Sequence, residues 1–119
     1  MITKTACSKK IRAILSKPAS MPELIEIDNS LSAFQEAVGG YIAALGLNDD
    51  NVLFVINEEG KLKHLPPNKV LTRFAKPCGL LVGNILLVGG DHNDDSFYSV
   101  PDELIDKYLG LLSGPVIEI

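Results

Sequence analysis

The chain has 119 residues, 46% of them hydrophobic and 22% charged, with a formal net charge of −4 and two cysteines. Those totals describe one globular domain able to bury about two-thirds of the surface its unfolded chain exposes, and they exclude a disordered or disulfide-stapled protein. The longest nearly apolar run, Gly79 to Gly90, is 12 residues broken by Asn84; a membrane-spanning helix needs about 20.

Charge is uneven. Residues 1–17 carry Lys4, Lys9, Lys10, Arg12 and Lys17 and no acid, whereas the remainder holds six basic and fifteen acidic residues. This divides the chain into a basic leader, residues 1–10, and a single domain, residues 11–119. The apolar piece Ile11–Leu15 is shorter than the core of about 7–15 residues that an export signal requires, so a cytoplasmic protein is expected. Cys7 and Cys78 then read as free thiols, Cys78 packing beside Gly79.

Prolines punctuate the pattern. Ile11–Leu15 reads as a strand stopped by Lys17-Pro18, and Glu23–Ile27 as a second strand, close enough for a hairpin. In "DNSLSAFQEAVGG" the period changes: Leu31, Phe34, Ala37 and Val38 share one helical face, with Asn29 or Ser30 as the cap. Gly39 falls just past the last periodic residue, where a helix ends in a left-handed conformation. A phosphate cradle needs the reverse order, with glycines leading into a helix N-terminus, so Gly39-Gly40 reads as a helix stop.

Tyr41–Leu45 reads as a strand and "GLNDDN" as a turn. Val52–Ile56 is an unbroken apolar run that suits a strand covered on both faces. "NEEG" reads as a tight turn with Gly60 at positive φ. Lys61–Leu65 alternates as a half-exposed strand should, and Asn68 reads as the cap of a short helix with Val70, Leu71 and Phe74 inward. A strand over Asn84–Val88 follows. The last element, "SVPDELIDKYLGLL", reads as a helix capped by Ser99 with Pro101 in its first turn. Its stripe is Leu104, Ile105, Tyr108, Leu109, Leu111 and Leu112, with Glu103 and Lys107 paired at i, i+4. Helices scattered among hairpin-like strands predict an α+β domain with a mainly antiparallel sheet and two to three helices.

Four blocks in this order, "EAVGGYI", "VINEEGKLKHLPPN", "GNILLVGGD" and "SVPDELIDKYL", resemble a family of small proteins filed as domain of unknown function 3846. Members are found in phages, plasmids and their bacterial hosts. The resemblance covers roughly residues 11–110 and implies a fold and a mobile-element setting, with no established activity. The basic leader and the tail Gly110–Ile119 inherit nothing from it.

Chemistry-bearing patterns are few. Asp91, Asn93 and Asp95 occupy positions 1, 3 and 5 of a calcium loop, with Ser99 at 9 and Asp102 at 12. Against calcium, Ser96 replaces the turn glycine, Asp102 is shorter than the usual Glu, and a strand precedes the loop. Cys7, His64, Cys78 and His92 lack the short spacings of a zinc site. Glu58 and Glu59, adjacent in a turn, point apart rather than forming an acid–base pair. No nucleophile elbow is present. With 6% aromatic residues, two arginines (Arg12 and Arg73) and an acidic body, nucleic-acid binding is unsupported.

The expectation is therefore a non-enzymatic accessory protein of a phage, plasmid or other mobile element. It would need no cofactor and would act by binding a host or element protein, with counter-defence as a fold-level analogy. The basic leader and the last helix's stripe are the candidate contacts, although plain core packing is the preferred reading of the stripe. The rival is a protein that sequesters a small molecule or nucleotide, its pocket lined by Tyr41, Asn57, Asn68, Lys69 and Arg73. A homodimer is compatible with either.

Overall fold

The computed structural model describes residues 10–46, 50–90 and 96–118, in which eight strands and two helices alternate without regular βαβ units. Strand β1 (Lys10–Ser16) forms a hairpin with β2 (Glu23–Asp28), and helix α1 (Leu31–Val38) follows. Next come β3 (Ile42–Leu45), β4 (Val52–Asn57), β5 (Pro67–Arg73), β6 (Lys76–Val82) and β7 (Ile85–Gly89). Helix α2 (Asp102–Leu112) and β8 (Val116–Glu118) close the chain. The expected α+β class with mainly antiparallel pairing holds.

Two sheets result. One has the order β2-β1-β7-β4-β3 and is antiparallel throughout; the other, β6-β5-β8, joins an antiparallel hairpin to a parallel strand. Strand β7 lies at the centre of the first sheet and is buried along its whole length, as its near-continuous apolar sequence requires. Side chains alternate between two cores. Ile14, Phe54, Ile85 and Leu87 face the second sheet and α2, where Leu71, Tyr108, Leu112 and Ile117 meet them. Ala13, Leu53, Val55, Leu86 and Val88 face α1, which presents Phe34 and Val38.

An eight-residue helix is marginal on its own, so α1 depends on its burial and its caps. Ser30 accepts the Ala33 N–H through its hydroxyl at 3.2 Å, and Gly39 ends the helix at φ 81° with its N–H on the Gln35 carbonyl. Helix α2 begins differently from expectation. Its N-cap is Pro101 with no side-chain bond, and Ser99 instead accepts the Arg12 backbone N–H at 2.9 Å. Lys107 bonds Asp50 at 2.6 Å, across the domain, in the role expected of Glu103. The α2 stripe packs into the core: Tyr108 and Leu112 are buried and Leu104, Ile105, Leu109 and Leu111 lie against the same cluster.

Three further expectations are corrected. Lys61–Leu65 is a series of turns, closed by Lys63 N–H on the Glu59 carbonyl and Leu65 N–H on the Gly60 carbonyl. His64 there is left-handed at φ 56°, which breaks the alternation a strand would keep. Asn68–Phe74 forms β5 and the following turn instead of a helix, with Phe74 out in solvent. Gly60 does not take positive φ; a Cβ there would stand 2.8 Å from Val82 Cγ2, so close packing is what requires glycine. Cys78 is exposed on β6.

Candidate functional site

The segments most distinctive in the sequence converge on the C-terminal end of α1. A helix end leaves its last carbonyls without partners, and here two asparagine amides fill the need. Asn57, at the end of β4, donates to the Val38 carbonyl at 3.2 Å, and Asn84, just before β7, donates to the Ala37 carbonyl at 2.9 Å. The Asn57 Oδ1 also accepts the Glu59 N–H at 2.8 Å and so shapes the turn that follows. Gly40 is glycine for reasons of space. A Cβ would lie 2.8 Å from Asn57 Nδ2 and 3.1 Å from Lys63 Nζ. The same distance brings the Lys63 ammonium near the negative end of the helix dipole, although α1 carries no basic residue in its own last turn.

Nearby, Asn68 ties three segments together. Its amide donates to the carbonyls of Ser16 at 2.9 Å and Gly83 at 2.8 Å, locking the end of β1 to the β6–β7 turn. Gly83 adopts φ 72° and leaves room for Leu65, whose Cδ1 would touch a Cβ at 2.8 Å.

Two concavities flank the 58–66 loop. The larger is a groove of about 330 Å³ walled by Leu45, Ile56, Leu71, Leu80, Leu81 and Val82, with Glu58, Lys61 and Leu62 at the loop side. The smaller, about 240 Å³, lies against Val38, Gly39, Leu65, Pro66, Gly83 and Asn84. Leu62 is 80% exposed and Leu80 is also open to solvent. Strand β6, which forms one wall, is an edge strand. The groove therefore offers an apolar trough beside a strand edge that no described strand pairs with, and it has one carboxylate and one ammonium near its mouth.

The five sequence-predicted pocket residues occupy different environments. Asn57 is 4% exposed and lines the groove, but its amide is committed to the helix end. Asn68 is committed likewise. Tyr41 is 65% exposed between Gly40 and β3, its carbonyl accepting the Glu58 N–H at 2.8 Å. Arg73 is exposed at the far end of β5. Lys69 is only 6% exposed, and burial pushes its pKa down from the usual lysine value. Neither concavity gathers the five. What sequence reading missed is Asn84, Leu62 and Leu80. The only signal for Asn84 was a polar residue interrupting an apolar run.

Of the calcium-loop residues, Asp91, Asn93 and Asp95 lie outside the described residues, as do His92, Cys7 and all of the basic leader except Lys10. Asp102 is described, and its carboxylate pairs with the Arg12 guanidinium. His64 and Cys78 are both exposed, His64 on the loop and Cys78 on β6. Two other carboxylates have depressed pKa values. Asp50 is held down by hydrogen bonds from Lys107 and from the Tyr108 hydroxyl at 2.7 Å. Glu118 is held down first by the Thr72 hydroxyl at 2.5 Å. Each joins distant segments: Asp50 ties the start of β4 to α2, and Glu118 ties β8 to β5.

Among known proteins, the model of the family described as Domain of unknown function (DUF3846) matches residues 11–113. That span contains both concavities and the whole asparagine junction, and it ends just before β8. No curated protein and no solved structure matches the chain.

Proposed function

This chain belongs to the DUF3846 family, and we propose that it is a non-enzymatic binding protein that captures another protein through the groove beside β6. The observation that carries this reading is the apolar trough of about 330 Å³ opening between exposed Leu62 and Leu80 at a strand edge left open among the described residues. A free edge offers backbone donors and acceptors to an extended segment, and an apolar recess beside it takes an alternate side chain of that segment. The polar groups best placed for chemistry, Asn57 and Asn68, are occupied in holding the fold. The setting implied by the family resemblance is a phage, plasmid or other mobile element and its bacterial host, in whose cytoplasm the captured protein would reside; counter-defence fits that setting. No described helix is long and apolar enough to cross a membrane.

The test compares the chain with a Leu62→Asp, Leu80→Asp variant. Both are offered to host and element proteins, and captured partners are identified by mass spectrometry. A partner held by the wild-type chain and released by the variant, with thermal unfolding unchanged, is the expected result. Equal capture by both refutes the groove.

A second reading, sequestration of a small molecule, is favoured by the groove's volume, which lies at the lower end of ligand sites. Its walls suit an apolar body. A nucleotide would find one ammonium, Lys61, for its phosphates. Native mass spectrometry of gently purified protein separates the readings, because a retained ligand adds a few hundred daltons per subunit.

A further inference from the structure

Four consecutive residues at one end of the second sheet break three local rules together. Strands β5 and β6 are joined by the two-residue turn Phe74-Ala75, with Arg73 and Lys76 paired across the hairpin. Both turn residues are left-handed, φ 52° at Phe74 and 63° at Ala75. Turns of this kind are normally Asn-Gly or Asp-Gly, because the Cβ of an L residue crowds the next carbonyl oxygen. Like charges set directly opposite each other weaken a strand pair. Phe74, finally, is 87% exposed, the most exposed large apolar residue among those described.

The fold holds this turn in place. The Glu118 carboxylate accepts the Ala75 N–H at 3.3 and 3.4 Å while also accepting the Thr72 hydroxyl. Neither Arg73 nor Lys76 takes part in an ion pair within the described chain. Glu118 fixes the turn's position, but the like-charge pair and the exposed ring remain local costs, of the kind expected where a protein meets something else.

We propose that the Arg73-Phe74-Ala75-Lys76 tip is a recognition element for an acidic protein surface that has an apolar recess for the Phe74 ring. This inference rests on the protein-capture reading and adds the partner's chemistry to it. Strand β6 runs from the tip at Lys76 to the groove at Leu80, about 13 Å at strand rise, so one partner spans both. Two cations flanking one protruding ring suit a carboxylate-rimmed pocket, where a buried aromatic anchor supplies most of the affinity. Nucleic acid calls for a longer run of cations along its phosphates, and the chain after residue 17 is acidic overall.

The test is a random dodecapeptide library displayed on phage and selected on the full chain. Two variants serve as controls: Phe74→Asn with Ala75→Gly, and Arg73→Glu with Lys76→Glu. The first keeps the hairpin and relieves the backbone, so its melting temperature rises. The expected peptides are acidic with one large apolar residue, and they lose at least about tenfold in affinity on either variant. Peptides that bind wild type and both variants alike, but fail on Leu62→Asp, Leu80→Asp, overturn the tip and leave groove capture standing. An absence of any enriched peptide, together with a retained small molecule in native mass spectra, overturns both. Phe74-dependent binding of oligothymidylate or phosphatidylserine vesicles in place of acidic peptides overturns the assignment of a protein partner. A lower melting temperature for Phe74→Asn with Ala75→Gly removes the basis of the inference.

Discussion

Replacing Asn57 with alanine removes one side chain and two hydrogen bonds that sit at opposite ends of its amide. The Val38 carbonyl loses its donor and the Glu59 N–H loses its acceptor. Each neutral bond contributes about 1 kcal/mol net, and a buried group left without a partner costs about 1–3 kcal/mol. Asn57→Ala should therefore destabilise the domain by about 2–3 kcal/mol. Unfolding entropy of about 2.1 cal/mol/K per residue makes 1 kcal/mol worth roughly 4 °C at this chain length, so the expected fall in Tm is about 8–12 °C. Gly40 sharpens the test, because its absent Cβ would stand 2.8 Å from the Asn57 amide nitrogen. In the wild-type background Gly40→Ala must push that amide off the helix end, at a cost of about 1–3 kcal/mol. In the Asn57→Ala background the amide is gone, only the mobile end of Lys63 is near, and the lost chain entropy of glycine makes Gly40→Ala neutral or slightly stabilising. Circular dichroism melts and urea titrations of the four proteins give a coupling energy of at least about 1 kcal/mol. A Gly40→Ala cost that is the same in both backgrounds would refute the steric argument.

Gly83→Ala meets two obstacles, a φ of 72° and the Leu65 Cδ1 at 2.8 Å; a loss of about 2 kcal/mol or more is expected in urea titrations, and a loss under about 0.5 kcal/mol contradicts it. Asp50 has a depressed pKa in the folded state, so its contribution is complete above the unfolded value and disappears as pH falls through the folded one. Asp50→Asn should melt below wild type at neutral pH, the two curves converging in strong acid; parallel curves from pH about 7 to about 2.5 would show that the Lys107 and Tyr108 contacts do not form. Lys69 is the opposite case, a base whose folded pKa is depressed by burial. The unfolded chain then binds more protons, so this term raises stability as pH climbs between the two values. Lys69→Met should accordingly stabilise the protein at pH 7 by on the order of 1 kcal/mol, with the advantage shrinking towards pH 10; a destabilised variant would show that the ammonium is needed.

Legibility in the sequence followed the range of the forces involved. Strands β1, β2, β4 and β7 and both helices were readable because each has the apolar pattern of its own element, periodic in the helices and unbroken in β4 and β7, set by neighbours a few residues away. The β5–β6 hairpin was not. Val70, Leu71 and Phe74 have helical spacing, and the turn between the strands is Phe-Ala, which carries no turn chemistry at all. Lys61–Leu65 failed in the other direction, since its alternation belongs to consecutive turns with a left-handed His64. At the junction, Gly39 could be assigned from local order alone. The roles of Gly40, Gly60, Asn57 and Asn84 depend on contacts 17 to 47 residues away along the chain. A polar residue that ends an apolar run signals that something is capped, but not what.

The placement of β7 between β1 and β4 governs the order in which the protein can assemble as it is made. Ile14 to Ser16 pair with Leu87 to Ile85, so the inner edge of β1 waits for a strand that begins about 70 residues later. At ribosomal speeds of about 5–20 residues per second, that wait lasts roughly 4–15 s. The β1–β2 hairpin can form in microseconds, yet until β7 emerges it presents Ala13, Ile14 and Leu15 along an uncovered strand. Strand β4 faces a shorter version of the same delay. Synthesis of β7 therefore acts as the closing step for both halves of the sheet, and a pause in translation between residues 60 and 90 would lengthen the interval in which the nascent chain is most prone to pair with another.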